Sequence, residues 1–465
     1  MRCLCFLLLW GFSSASLNDF IQNTEYQLDY GYHLNRKDQH DVVKHQFTEQ
    51  LVDHFDAQNR NTWNQTYIVH EAIPGIPASD VPVVWPNGEG SAYDHFEAFN
   101  QLVPGHNSVV FTLAHRYYEA KKGANPTDQF HPSRDSHLLS SKQALADLAY
   151  FVEKVVLGKY KFKKPPIIVG CSYSGSLTIW FRQKYPHLSL GGISLSGPIR
   201  AKDNFHEYLE VGEQAVRDFF PICFPLLWKA KRLLRNAAQT SGKHFAKQLN
   251  LCTNTSFTDW KKIFEIGWLQ VSITFAGDLG QFGMERASRL FCNTLQSGGA
   301  FKAFQIVIGS QSGPCKDPES VVKSKSRSPK ADERSLPNWY WQKCTEFGWF
   351  KTHSQDNLFQ FFKLEDYHQV CKEDFQVDTK LIEQSIQATN IFYGSTDITS
   401  LRNLLVLNGA DDPWHAMSMP VYGSDYNRVV SKIIPKTHHC TLDRIGQFTK
   451  EAKQYAKEAI NHWLD

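Results

Sequence analysis

Residues Ile167–Trp180 read IIVGCSYSGSLTIW: an apolar run, a cluster of small residues, then a second apolar run. A strand is expected to turn sharply into a helix here, with Ser172 at the turn. A serine on such an elbow follows the pattern G-x-S-x-G, in which small neighbours let the strained turn close and leave the hydroxyl exposed. Gly170 stands two before Ser172, but Ser174 stands two after it, with Gly175 one further on. The other reading is a small-residue turn between two buried elements. GISLSG, Gly192 to Gly197, repeats the spacing around Ser194, yet Pro198 follows and no helix starts there directly, so Ser194 reads as a buried strand residue. Local pattern alone leaves both readings of Ser172 open.

Outward from this stretch the periodicity alternates. TWNQTYIVHEA, VPVVWPNGEGS and NSVVFTLAHRYY read as strands, and LGGISLSGP as a further one. In LLSSKQALADLAYFVEKVV, Ala144, Leu148, Phe151 and Val155 share one helical face. From Val81 to Pro198 the order is β, β, α, β, α, β, which signals a parallel sheet with helices on its faces. After about residue 200 the pattern turns mostly helical, broken by Gly, Pro and Cys. Strand signals return at LRNLLVLNGADDPW and VVSKIIPKTHHC, and an amphipathic helix, IGQFTKEAKQYAKEAINHWL, follows. The expected organisation is a leader over 1–16 and a polar lead-in from Leu17 to about Gln46. An α/β core over 47–200 is then interrupted by a helical cap insertion over 201–385 and completed over 386–465.

The 465 residues are 42% hydrophobic and 21% charged, with a formal net charge of +3. A sizeable core is available, and the near balance of charge points to no nucleic-acid partner. The largest basic cluster, VVKSKSRSPKADER (Val321 to Arg334), reads as a solvated loop. MRCLCFLLLWGFSSAS has the charged, apolar and small-residue regions of a secretory leader. Its apolar part is too short to span a bilayer, and no other run reaches about 18 apolar residues, so no membrane association is expected. In an oxidising compartment most of Cys171, Cys223, Cys252, Cys292, Cys315, Cys344, Cys371 and Cys440 should pair, stapling the middle of the chain. Cys171 is expected to be the exception, because it adjoins Ser172 in a buried turn. Neither C-x-x-C nor H-E-x-x-H occurs, so no metal or other cofactor is expected. Asn64 and Asn254 begin N-x-S/T sequons and are candidate glycan sites.

Two more stretches follow predicted strands. LVLNGADDPWH ends a strand in a polar turn with Asp411 and Asp412, and IIPKTHHC places His438 and His439 shortly after another. Ligands of open α/β sheets bind beyond the carboxyl ends of the strands. The order Ser172, Asp412, then His438 or His439 matches the Ser…Asp…His order of α/β-hydrolases. The long interval between Ser172 and Asp412 fits a helical domain inserted between them.

These residues resemble the serine exopeptidase family that includes prolylcarboxypeptidase and dipeptidyl peptidase II. VGCSYSGSLTIWFRQKYPHL is similar to the family's nucleophile segment GGSY(G/S/P)G…(K/R)(Y/F)PH. LVDHFDAQNRNTWNQTY, NGEGS, AHRYY, KQALADLAYF, NGADDPWHAMS and THHC resemble further family segments in the same order, from about Gln46 onward. SYSGSL, DPWH and a histidine followed by cysteine look most like the thymus-specific serine protease branch. The resemblance implies an α/β-hydrolase fold with a disulfide-stapled helical cap, Ser172 as nucleophile and Asp412 as acid. The branch pattern of His followed by Cys picks out His439 as the base, whereas other branches would pick His438. The oxyanion would be held by backbone N–H groups of Tyr173 and of the Asn87-Gly88-Glu89-Gly90 loop, with Glu89 as its donor.

The implied chemistry is acyl transfer from a peptide through an acyl-enzyme, at a chain end left open by the cap, with proline preferred at the cleavage site. Removal of a C-terminal residue and of an N-terminal dipeptide both remain open, as do secreted and lysosomal destinations and a homodimer. Cys171, Ala114 and Glu119 replace the family's Gly, Glu and Gly, which bears on substrate preference. Two other readings stand beside the peptidase: an esterase or lipase with the same triad, and an inactive secreted binding protein on the same fold.

Overall fold

The computed structural model describes residues 43–74, 76–90, 95–118, 136–311, 313–326, 335–353, 357–443 and 446–465. The leader, nearly all of the lead-in, Glu119 and part of the basic cluster lie outside them. By contact the described residues divide into two units, one within Asn204–Ala331 and Phe350–Asp374, the other within His33–Asp203, Asp332–Trp349 and Phe375–Asp465.

The second unit holds an eight-stranded sheet: β1 (Lys44–Leu51), β2 (Thr62–His70), β3 (Val83–Pro86), β4 (Val110–Leu113), β5 (Ile167–Cys171), β6 (Gly191–Leu195), β7 (Leu404–Gly409) and β8 (Val429–Ile434). Their order across the sheet is β1-β2-β4-β3-β5-β6-β7-β8. β2 runs antiparallel to both neighbours, and β3 to β8 are parallel. Parallel strands are covered on both faces, which is why they read as continuous β-branched and leucine runs. Ile167, Val169, Ile193, Leu195, Leu405 and Leu407 form a buried core with the helix Lys450–Leu464, which contributes Ala452, Ala456, Ala459, Ile460 and Trp463. Gly191 accommodates that helix, because a Cβ there would stand 2.3 Å from the Trp463 ring. Ser194 is fully buried within β6, as expected for GISLSG.

β1 is a strand that the reading of the lead-in passed over. In KHQFTEQL only Phe47 and Gln50 are buried, so this edge strand lacks an apolar signature. It is held by pairing to β2 and by the buried Gln50 amide, which donates to the Asp147 carbonyl at 3.0 Å. A short helix, α1 (Phe96–Leu102), also interrupts the expected β-β succession. The helices of this unit that shape the site are α2 (Ser141–Phe151), continued by a π-helical segment over Val152–Lys159, and α3 (Tyr173–Lys184).

The other unit is largely helical, with helices at Glu207–Phe219, Cys223–Thr240, Trp260–Ser272 and Glu285–Ile308. It is stapled by Cys223–Cys292 and Cys252–Cys315, and Cys344 and Cys371 are also disulfide-bonded. Strand order, the β2 reversal and the strand-serine-helix elbow make this an α/β-hydrolase fold with helical elements between the strands.

Candidate active site

Ser172 stands between the end of β5 and the start of α3, with φ 59° and ψ −132°. A side-chain-bearing residue rarely adopts this backbone, and such strain persists where the surroundings over-determine it. Three contacts do so. The Ser172 N–H donates to the Leu195 carbonyl at 2.9 Å. A Cβ at Gly170 would lie 2.3 Å from the Ser174 carbonyl oxygen, so only glycine closes the turn. A Cβ at Gly175 would lie 2.9 Å from both the Leu195 carbonyl and Ser194 Oγ, so Gly175 lets α3 press on β6. Gly175 therefore takes the close-packing role one place later than the usual pattern. Ser174, in the usual glycine position, turns its hydroxyl to the Pro86 carbonyl at the end of β3. That bond ties the elbow to the Asn87-Gly88-Glu89 loop, whose Gly88 Cα faces Ser174 N closely enough that a Cβ would stand 3.2 Å away. The Tyr173 N–H, at the first helical position, has no intrahelical acceptor by geometry and stands beside this loop.

The acid segment is equally constrained. Asp412 caps a short 3₁₀ turn over Pro413–Met417, with Pro413 at its first position. Its Oδ1 accepts from the Trp414 N–H at 3.1 Å, leaving Oδ2 to face His439 Nδ1 at 2.8 Å. Asp412 is fully buried and His439 is 8% exposed. A carboxylate at Nδ1 favours the tautomer whose Nε2 can take a proton from a hydroxyl. Asp411 instead uses its N–H to bind the Thr437 carbonyl at 3.0 Å. Of the two candidate histidines, His439 is the one at the Asp412 carboxylate, and His438 caps the turn that begins with it.

How the His439 segment comes beside the end of β5 follows from the sheet. Register places Cys171 of β5 beside Leu195 of β6, and Leu195 beside Leu407 of β7. β8 is three strands from β5, or about 14 Å at the usual spacing. The chain after β8 must therefore double back over the end of β7. Gly409 lets it pass, since a Cβ there would lie 2.4 Å from the Thr437 carbonyl and 2.5 Å from that of His438. The crossing ends in a disulfide, Cys171–Cys440, with Cα atoms 5.4 Å apart. Cys171 is thus paired, contrary to the expectation that it stays free. The sequence places it far from every other cysteine, and only the doubling back of the β8 loop delivers Cys440 to it. Cys171, His439 and Cys440 offer ligand atoms within 4.8 Å of one another, but both sulfurs are consumed in the disulfide and are not available to a metal.

Other segments that carry the family resemblance meet behind the elbow. Arg116 of AHRYY donates through Nε and Nη2 to both oxygens of Asp147 of QALAD, each at 2.6 Å, and to the Leu138 carbonyl at 2.9 Å. His54 of LVDHF lies 2.9 Å from the same carboxylate. Burial would raise the Asp147 pKa, yet Arg116 and His54 outweigh it and hold it below the usual 3.8. His115 Nε2 lies 3.2 Å from the Tyr173 hydroxyl, which also accepts from Gln342 Nε2 at 3.0 Å. Burial brings His115 down to about 4, so its imidazole is neutral at ordinary pH. Burial likewise pushes Glu346 up, against hydrogen bonds from Ser141 and Gln342.

Sequence reading did not single out Trp339, Phe347 and Trp349. They join Tyr173, next to Ser172, to Trp414, two residues after Asp412: Tyr173–Trp339 centroids are 5.4 Å apart, Tyr173–Phe347 5.4 Å, Phe347–Trp349 4.5 Å and Trp349–Trp414 5.6 Å. The available signal was density, because WYWQKCTEFGWF holds six aromatics in twelve residues. Asn64 is exposed on β2, and Asn254 is exposed in a bend.

The chain is similar to known proteins. The thymus-specific serine protease of Mus musculus is 28% identical over 434 residues, 86% of this chain and 82% of the mouse protein. The lysosomal Pro-X carboxypeptidase of Mus musculus is 26% identical over 404 residues, 79% of this chain and 78% of that protein. A crystal structure of proline iminopeptidase from Mycobacterium smegmatis covers 86% of this chain and 96% of its own at 11% identity, with a TM-score of 0.36, too distant to argue from. The sequence model of the serine carboxypeptidase S28 family matches residues 50–457, and the chain belongs to that family of serine peptidases.

Proposed function

We propose that this serine peptidase is an exopeptidase acting through Ser172, His439 and Asp412. Ser172 Oγ attacks a peptide carbonyl while His439 Nε2 takes its proton. Asp412 stabilises the imidazolium, and the N–H groups of Tyr173 and Glu89 hold the oxyanion. His439 then protonates the leaving amine, and water releases the acyl group by the reverse path. The observation that carries the reading is the 2.8 Å Asp412–His439 pair, whose histidine is joined through its neighbour Cys440 to the residue preceding Ser172.

Cleavage beside proline is the proposed preference, as a Pro-Xaa carboxypeptidase or an Xaa-Pro dipeptidyl peptidase. The relative named for Pro-X carboxypeptidase activity supports it. A secretory route to the cell exterior or the lysosome, with glycans on exposed Asn64 and Asn254, accords with the leader pattern and the disulfides. No helix among the described residues is long and apolar enough to cross a membrane.

The test is digestion of a peptide library read by mass spectrometry, beside short-chain esters, with fluorophosphonate labelling. Trimming at one chain end next to proline, and labelling lost in Ser172→Ala, are expected. Hydrolysis of esters alone, or equal labelling of Ser172→Ala, overturns the proposal.

A further inference from the structure

We infer that the Cys171–Cys440 disulfide is a positioning clamp for the histidine, so that the enzyme is fully active only with this bond oxidised. The inference rests on the proposed Ser172–His439–Asp412 chemistry. The bond joins the residue immediately before the nucleophile to the residue immediately after the base. Both sulfurs lie within 4.8 Å of a His439 ring nitrogen.

The loop that carries His439 has reason to need a clamp. It has doubled back across β7, and it holds two consecutive side-chain-bearing residues at positive φ, Cys440 at 61° and Thr441 at 59°. Such conformations persist only where several contacts enforce them. The turn is closed by His438 N–H to the Leu442 carbonyl at 2.9 Å and Thr441 N–H to the His438 carbonyl at 3.0 Å, and the Cys440 carbonyl accepts from Thr441 Oγ1 at 2.6 Å. The Cys440 N–H donates to Ser196 Oγ at 3.0 Å, and Ser196 itself sits at φ 51°. The elbow on the other side is strained too, with Ser172 at φ 59°. One covalent bond therefore ties two strained segments, and it ties them at the point where the proton must pass.

Both cysteines are half-buried, so a small thiol can reach them; Cys223 and Cys292 are fully buried, whereas Cys315 of the Cys252–Cys315 bond is exposed and is reached at least as readily. Two equivalents of a monothiol would break the S–S bond, leave protein thiols at Cys171 and Cys440, and depart as their own disulfide. The His439 loop would then keep its hydrogen bond to Asp412 but lose its fixed distance to Ser172. Displacement of a reacting group by about 1 Å can cost about a hundredfold in rate.

The experiment uses the full enzyme. Mild treatment with a monothiol is followed by differential alkylation and mass spectrometry, so that the kcat with the more exposed Cys252–Cys315 bond alone reduced is compared with the kcat once Cys171–Cys440 is reduced as well. Active sites are titrated with a fluorophosphonate, so that kcat is expressed per competent serine. The expected result is a fall in kcat of about 10- to 100-fold with KM within about twofold, recovered on reoxidation. The Cys171→Ala, Cys440→Ala double variant should show the same kcat and no response to thiol. A purely structural staple would lower the melting temperature and the titrated fraction but leave kcat per site unchanged, and that outcome overturns the inference. Should the double variant not fold, the reduced wild-type enzyme still decides. If the oxidised enzyme neither cleaves peptides nor labels at Ser172, the proposed triad fails and the clamp falls with it. If it does both and reduction leaves kcat per site within about twofold, the clamp alone fails.

Discussion

At the scale of single residues, the site turns on which atom each side chain has left to offer. Asp412 has two oxygens, and the Trp414 N–H occupies one of them. The remaining oxygen meets His439 and not His438, because His438 sits one position earlier, where the turn begins. The proposed roles make a sharp contrast between neighbours. Asp412→Asn should keep the fold and lower kcat by roughly ten-thousandfold, since the amide favours the wrong tautomer of the histidine. His439→Ala should abolish turnover, whereas His438→Ala should retain kcat per titrated serine despite some loss of stability. Steady-state kinetics with fluorophosphonate titration checks both; a dead His438→Ala beside an active His439→Ala would reverse the assignment.

At the scale of elements, glycines decide where strands and loops can cross. Gly170 and Gly175 let the elbow close upon β6, and Gly409 lets the histidine loop cross β7. A methyl group at Gly409 would meet two backbone carbonyls, which cannot rotate away. Gly409→Ala should therefore push the histidine loop outward and lower kcat per titrated site by about tenfold or more, with KM little changed. Kinetics beside thermal unfolding separates this from general destabilisation. The elements themselves were largely legible. β3 to β8 are long enough in Val, Ile and Leu to announce themselves, because strands covered on both faces need apolar side chains at every position. β1 was not legible, since an edge strand that buries only Phe47 and Gln50 carries no such pattern.

At the scale of the whole molecule, Arg116, Asp147 and His54 bind three distant segments of chain at one buried point. Removing one partner leaves a charge buried without compensation, so Asp147→Asn should destabilise the protein by about 3–5 kcal/mol. The pH dependence has a definite sign. The folded-state pKa of Asp147 is depressed below the usual 3.8. Its contribution is therefore present above about pH 3.8 and is lost as pH falls through the folded value. Thermal unfolding of wild type and Asp147→Asn should differ most at neutral and mildly acid pH, and the gap should close in stronger acid. A gap that widens in acid would contradict the assignment.

The sequence by itself determined the alternating core, the order Ser172, Asp412, then His438 or His439, and the resemblance that these residues carry. Such features are local or ordinal, and hydrophobic period and turn chemistry express them directly. Only the tertiary structure put His439 at the Asp412 carboxylate, moved the close-packing glycine from 174 to 175, gathered the aromatics of Trp339–Trp349 beside Tyr173, and paired Cys171 with Cys440. Each of these depends on contacts between residues far apart in the chain, and those contacts exist only once the sheet's strand order and the doubling back of the β8 loop are in place.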